Sequence, residues 1–303
     1  MNPVYPMPKF ITDRKGMYEF ITNIYSKYKD TTNSKIIFDF MYTKYISPNL
    51  MSPLGLIFTK LKARKNDVLL RNTHKNPNIK SILVKYGFLF IDSVDVITPQ
   101  NFIKYETFNG DDNDGFSSYL DTQLHEISNS EIIASLKTHI MEIFINVKMH
   151  ARTLKNFSRF KNKEIFTSGF YDKEKHNVIF SIANNGQTFA ENIRNTLNYN
   201  YDKEFDYLSW ALKKNNSSIK DRSGGLGLSM LYDLVNSCEG CLYILSGKGY
   251  YEYSFDNNIF STIKEDFSSS FPGTVITIKL PISSLNYVGK IEKDFLFTLN
   301  DLF

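Results

Sequence analysis

Glu142, Asn146 and His150 stand four residues apart in a stretch whose apolar residues recur at helical spacing. Side chains four apart on a helix are neighbours, so a carboxylate, an amide and an imidazole share one face. The seam Ile133, Leu136, Ile140, Phe144, Val147 and Ala151 points elsewhere, toward a core. Taken alone, such a polar face is the outer surface of an ordinary amphipathic helix. Two later motifs give it more to do. Asn184-Asn185-Gly186-Gln187-Thr188 follows the apolar run Val178–Ile182, and Gly224-Gly225-Leu226-Gly227-Leu228 opens a helical pattern reaching Val235. Glycines let backbone N–H groups approach an anion closely, and the positive end of the helix that follows favours negative charge. Magnesium prefers hard oxygen ligands and takes few from protein when phosphates supply the rest. A carboxylate one turn away can accept a proton from water.

In this order the three motifs resemble the nucleotide pocket of the GHKL ATPases. That superfamily contains gyrase-type topoisomerases, ninety-kilodalton heat-shock chaperones, histidine kinases and mismatch-repair ATPases. The resemblance covers roughly residues 120–283. It implies an ATP and Mg2+ site on a Bergerat-type α/β sandwich, with helices on one face of a mixed sheet. By the same resemblance Asn146 binds the magnesium ion, Glu142 orients or deprotonates the attacking water, and His150 contacts phosphate or closes the pocket wall. Where the family reads adenine with Asp-x-Gly-x-Gly, this chain has Asn184, Gly186 and Thr188. The Asn184 carbonyl can accept from an amino group without the help of charge, while its NH2 can oppose the same donor. Gly224, Gly225, Leu226, Gly227 and Leu228 would cradle the phosphates. Gly273-Thr274, ahead of the strand Val275–Pro281, looks like the pair that backs the pocket.

Between these motifs, residues 191–222 have the position and composition of the family's ATP lid, with a short helix around Trp210. Lys220 lies where it can reach phosphates, although Lys213, Lys214, Lys220 and Arg222 read equally well as a solvated loop.

The first half alternates helical and strand patterns, which implies a parallel α/β layer. Helices are expected over residues 16–28, from Ser52-Pro53 to about Ala63, and over 79–86; strands at Ile36–Phe40, Val68–Leu70 and Phe88–Ile91. Residues 35–92 resemble the STAS-like domains of bacterial regulators, through a strand ending in Asp39, Tyr45-Ile46-Ser47-Pro48, and Lys85-Tyr86-Gly87-Phe88. The Asp-Ser pair that carries a phosphoserine in such domains is not matched; Ser47 and Ser52 stand nearby. The expected organisation is a STAS-like domain over 1–108, a polar linker over 109–118 and a GHKL domain over 119–303. Asn109–Gly115 hints at a calcium loop, but aligning Gly115 with the loop glycine puts Gly110 where the first carboxylate belongs.

Composition narrows the class. The chain has 303 residues, 42% hydrophobic, with a formal net charge of +4. It is long enough for two cores, and its charge, spread along the sequence, gives no strong nucleic-acid signal. No apolar run reaches the ~20 residues that cross a bilayer, and the first residues lack the regions of a signal peptide. Cys238 and Cys241 form an isolated Cys-Glu-Gly-Cys without further metal ligands nearby. A cytoplasmic location follows as the expectation. His125-Glu126 lies too close to Glu142 to be the phosphoacceptor of a sensor kinase with its own dimerisation hairpin. Three readings remain: an ATP-driven switch coupled to a protein partner through the STAS-like half or the lid, a serine protein kinase of the anti-sigma type, and a scaffold that binds no nucleotide. A homodimer is compatible with each.

Overall fold

The computed structural model describes residues 3–88, 102–125, 127, 130–146, 165–216 and 227–282. The chain is an α/β protein organised around one large antiparallel sheet. The first half contains β1 (Val4–Pro6), β2 (Phe10–Ile11), α1 (Lys15–Tyr28), β3 (Lys35–Asp39) and β4 (Tyr45–Ile46). It continues with α2 (Met51–Ala63), β5 (Asp67–Arg71) and α3 (Pro77–Lys85). β1, β3 and β5 form a parallel three-stranded sheet in that spatial order, and β2 pairs with β4 in a small parallel ribbon. The helices expected from spacing, from Ser52-Pro53 and from the stop at Gly87 match α1, α2 and α3 within a few residues. The expected third strand at 88–91 falls almost wholly outside the described residues.

The second half supplies β6 (Phe102–Phe108), α4 (Asn113–Leu124), α5 (Ser130–Asn146), β7 (Ile165–Asp172), β8 (Asn177–Asn184), α6 (Phe189–Leu197) and α7 (Glu204–Ala211). Then come α8 (Gly227–Ser237), β9 (Cys241–Ser246), β10 (Gly249–Asp256), β11 (Ile259–Asp266) and β12 (Thr274–Pro281). The seven strands run β11-β10-β9-β12-β8-β7-β6, and every pair is antiparallel. The mixed sheet expected from the sequence is therefore corrected. Short hairpins join β7 to β8 and link β9, β10 and β11, and a hairpin reverses strand direction.

Two further expectations meet a different structure. Residues 109–118, read as a linker, lead directly into α4: Asp112 caps it by accepting from Gly115 N–H at 3.0 Å, and Phe116 is fully buried. β6, on the other side of the expected boundary, pairs with β7 in the large sheet. Much of the expected lid is likewise packed structure, with Tyr207 and Leu208 of α7 buried. Asp266 on β11 accepts the Glu204 and Phe205 N–H groups, both at 2.9 Å, and so satisfies the free donors at the start of α7.

Both faces of the sheet are covered. On one lie the helices of the second half, against Phe180, Ile182, Leu242, Ile244, Ile276 and Ile278. On the other lies the first half, whose Tyr18, Ile21, Leu54 and Phe58 share a core with Phe166, Ala183, Tyr243, Leu245, Tyr250 and Val275. A chain of hydroxyls runs through that second interface. Tyr18 OH donates to Thr277 Oγ1 (2.9 Å), Thr277 meets Ser181 Oγ (2.9 Å), and Ser52 Oγ donates to Ser181 Oγ (2.9 Å). Ser52 N–H reaches Ser168 Oγ (2.9 Å), and Ser168 donates to the Asn49 carbonyl (3.1 Å). Burial pushes the Tyr18 phenol well above its ordinary range, so it remains a neutral donor.

Candidate functional site

The alternation of side chains along a strand decides what lies on the helix-covered face. Val178, Phe180 and Ile182 of β8 point there, and so does Asn184. The same register places Thr274 of β12 and Ser246 of β9 on that face. Thr274 is paired with Asn184 on one side and with Ser246 on the other. Asn184, Thr274 and Ser246 thus stand side by side across three adjacent strands, all buried. Ser246 Oγ and Thr274 Oγ1 are 2.7 Å apart, and Ser246 Oγ also accepts from Phe189 N–H at 3.0 Å, at the start of α6. The Asn184 side chain makes no hydrogen bond among the described residues, and its Nδ2 is buried without a partner. An unpaired buried amide donor costs about 1–3 kcal/mol. Gly273 holds this row together: its φ is +145°, and a Cβ there would collide with the Asn184 carbonyl oxygen.

A second group forms where α5 ends and α8 begins, on the same side of the sheet. Glu142 and Asn146, both half-buried, lie one turn apart. Gly227, the first residue of α8, packs directly on them. A Cβ added to Gly227 would stand 3.1 Å from Asn146 Nδ2 and 3.3 Å from Glu142 Oε2. The last glycine of the glycine-rich motif and the polar helix face, 81 residues apart from Asn146 in sequence, therefore meet. Leu228 is buried in the core beneath them.

His150, Lys220, Gly224, Gly225 and Leu226 lie outside the described residues. Gly186 sits half-buried just past the end of β8. Thr188, expected among the nucleotide contacts, has another task. Its Oγ1 accepts from Glu191 N–H (3.1 Å) while Glu191 Oε2 accepts from Thr188 N–H (2.9 Å), a reciprocal cap on α6. The hydroxyl oxygen serves that helix as an acceptor.

Sequence reasoning missed two neighbours. His139, buried and one turn before Glu142, brings Nδ1 to 3.5 Å from Glu142 Oε2. Its i, i+3 spacing was the available signal. Ser246 carried no signal, because only the register of β9 against β12 reveals it.

Among the described residues no group of three or more His, Cys, Asp or Glu could hold a metal ion. Such an all-protein cage is not what magnesium requires; one or two hard oxygens suffice when a nucleotide brings phosphates. The Asn146 amide oxygen fits that role in chemistry, beside a carboxylate, Glu142, placed to accept a proton. Cys238 and Cys241 do not form a joint site: Cys238 is buried in the helix-side core and Cys241 in the core on the opposite face. Burial raises the Cys241 thiol above its usual range, keeping it protonated and unreactive. No helix among the described residues is long and apolar enough to cross a membrane. No protein-family model and no curated protein matches the chain.

Proposed function

We propose that the second half binds ATP with Mg2+ and acts as a nucleotide-dependent conformational switch with slow hydrolysis, coupled to the STAS-like first half. The observation that carries this reading is the packing of Gly227 against Glu142 and Asn146. A residue with no side chain brings the backbone at the start of a helix close to an amide and a carboxylate, where backbone N–H groups favour anions. The orphaned Asn184 donor supports it independently, since a purine edge offers the acceptor that the described residues do not. Asn146 would supply an oxygen to the magnesium ion, which would neutralise phosphate charge. Glu142 would accept a proton from water at its carboxylate, held in place by the contact with His139. Asn184, with Thr274 and Ser246 beside it, would face the base.

The alternative of a serine kinase acting on its own first half is disfavoured by burial. Ser47 and Ser52 are enclosed, at 2% and 0% exposure, and bonded inside the interface. A kinase acting on another protein stays open as the second reading. The deciding experiment incubates purified protein with labelled ATP and magnesium, then measures free phosphate and phosphoprotein separately. Released phosphate supports the switch, label on protein supports the kinase, and absence of any binding removes both.

A further inference from the structure

The net charge looks dilute along the sequence, but the fold gathers part of it. The C-terminal ends of β3 and β5, the β2–β4 ribbon and the approach to α3 meet at one edge of the parallel sheet. Phe10 pairs with Tyr45 across the ribbon, and Lys44 N–H donates to the Lys9 carbonyl at 2.7 Å. Phe40 N–H donates to the Arg71 carbonyl (2.9 Å), and Asn76 Nδ2 to the Thr43 carbonyl (3.2 Å). Residues 3–11, 39–48 and 71–80 together hold five Lys or Arg against one Asp, an excess equal to that of the entire chain. The Asp is Asp39, tied by Arg71 at 2.6 Å and by Asn72 at 2.7 Å. Asp13 and Asp172 border the patch near Tyr45. Lys9, Lys44 and Lys75 are exposed and enter no ion pair among the described residues.

Aromatic rings stand among these cations. Five of the ten large apolar side chains exposed among the described residues lie in these segments, Val4 at the start of β1 and, at this edge, Phe10 (52%), Met41 (41%), Tyr42 (79%) and Tyr45 (40%). Protruding rings are costly to leave in water without use, and clustered exposure marks an interaction surface. Each ring has a lysine as near neighbour in sequence, and Lys9 Nζ lies 5.4 Å from the Phe10 ring centre. An acidic peptide would use the lysines but not flat rings. A lipid surface accepts interfacial tyrosines and lysines, but it offers no planar partner for the face of a ring. Bases that are free to stack, joined by phosphates, use both features.

We propose that this edge binds single-stranded nucleic acid, with Phe10 and Tyr42 stacking on bases and Lys9, Lys44 and Lys75 neutralising phosphates. The site is separate from the proposed nucleotide pocket and does not depend on it. Fluorescence anisotropy of labelled oligo-dT and oligo-U of about 20 nucleotides, titrated with the full chain at about 50 and 200 mM salt, tests it. Affinity should fall with salt. The double variant Phe10→Ala, Tyr42→Ala should weaken binding by about tenfold or more at both salt concentrations. The double variant Lys9→Gln, Lys44→Gln should reduce the slope of log affinity against log salt by about 1.4. All four positions are exposed, so circular dichroism should report unchanged folding. Absence of binding, equal binding of a duplex of the same length, or a ring variant that binds like wild type would overturn the proposal. So would tight binding to phosphatidylglycerol vesicles with the same dependence on Phe10 and Tyr42, which would make this a membrane surface.

Discussion

Asn49 and Asn184 both bury an amide nitrogen that meets no partner among the described residues, and they differ in nearly everything around it. Asn49 sits in the interface between the first half and the sheet. Its Oδ1 accepts from Ser47 Oγ (2.5 Å), and its carbonyl accepts from Ser168 (3.1 Å) with Ser52 Oγ 3.2 Å away. One donor is left over in a network that is otherwise complete, which is a packing cost. Asn184 ends a strand beside a hydroxyl pair, and its side chain is bonded to nothing among the described residues. An unmade bond is thus informative only with its surroundings. At Asn49 it belongs to the architecture; at Asn184 it is what a base-reading group would require.

The largest effect that separates the two regions is expected at Glu142. Glu142→Gln should lower ATP turnover by about 10²–10⁴-fold, the usual loss of a general base, while nucleotide affinity and the unfolding midpoint stay near wild type. Phosphate release and a urea titration check this. Loss of stability in step with activity would make the His139–Glu142 contact structural and place α5 with the architecture.

Next comes the interface itself. Asn49→Asp puts a carboxylate where the unpaired donor was, with Ser47 as its nearest bond and no cation in the network. Such burial should cost about 3–5 kcal/mol of stability at neutral pH. It should also reverse the usual pH trend. The buried carboxyl has a raised pKa in the folded state, so the folded chain binds more protons than the unfolded chain, and stability rises as pH falls through that range. Urea midpoints at several pH values are the measurement; a variant as stable as wild type at pH 7 would show that water reaches Asn49.

How much of this could be read from the sequence depended on which signal each element left. Periodicity located α1 and α5, while the opening Ser52-Pro53 and the stop at Gly87 marked α2, which is buried nearly all round, and α3. The β7–β8 hairpin and β12 were also legible as apolar runs. Their composition held a further clue. Val178-Ile179-Phe180 and Val275-Ile276 are apolar at consecutive positions, where a half-exposed antiparallel strand would alternate. Such runs mean that both faces are covered, and the first half is what covers the second. Nothing local could reveal which segment does so. The Tyr18–Thr277 bond joins residues 259 apart in sequence. β1, β2 and β4 are two or three residues long, too short for any period to register. α4 and α6 were read as linker and lid because their turns are polar and asparagine-rich, yet Phe116 and Ile193 anchor them in the core. At the site, motif order paired Gly227 with Asn146, whereas the Thr188 cap and the Ser246 contact follow from tertiary register.

A smaller effect is expected at the meeting of α5 and α8. Gly227→Val would place carbon atoms against Asn146 and Glu142, where even a Cβ stands 3.1 Å from Asn146 Nδ2. The expected outcome is ATP affinity weakened by about tenfold, near 1.4 kcal/mol, with a destabilisation in the 1–3 kcal/mol range of overpacking. Calorimetric titration with ATP and magnesium, done well below the variant's unfolding temperature, separates the two. Gly227→Ala should lie between. An alanine variant with full affinity would show that phosphate binding does not need the close approach of Gly227 to Asn146.

The smallest effect tests Asn184 by the same substitution used at Asn49, with the opposite outcome expected. Asn184→Asp removes the unpaired Nδ2 donor and supplies a carboxylate beside the Ser246–Thr274 hydroxyl pair. Without nucleotide the buried charge should lower stability. With ATP, the carboxylate gains a charge-assisted bond from the adenine amino group, stronger than the one the neutral amide can make. A guanine presents a carbonyl oxygen at the equivalent position, which a carboxylate repels and an amide NH2 welcomes. Wild type, with one donor and one acceptor on the same group, should therefore discriminate little between ATP and GTP. The variant should favour ATP by about tenfold, since one such hydrogen bond is worth about 1 kcal/mol and the repulsion of GTP adds to it. Competition titrations with ATP, GTP and ADP measure the ratio directly. If the ratio does not move while magnesium-dependent binding persists, phosphate contacts alone hold the nucleotide, and the Asn184 amide is a packing cost of the same kind as Asn49.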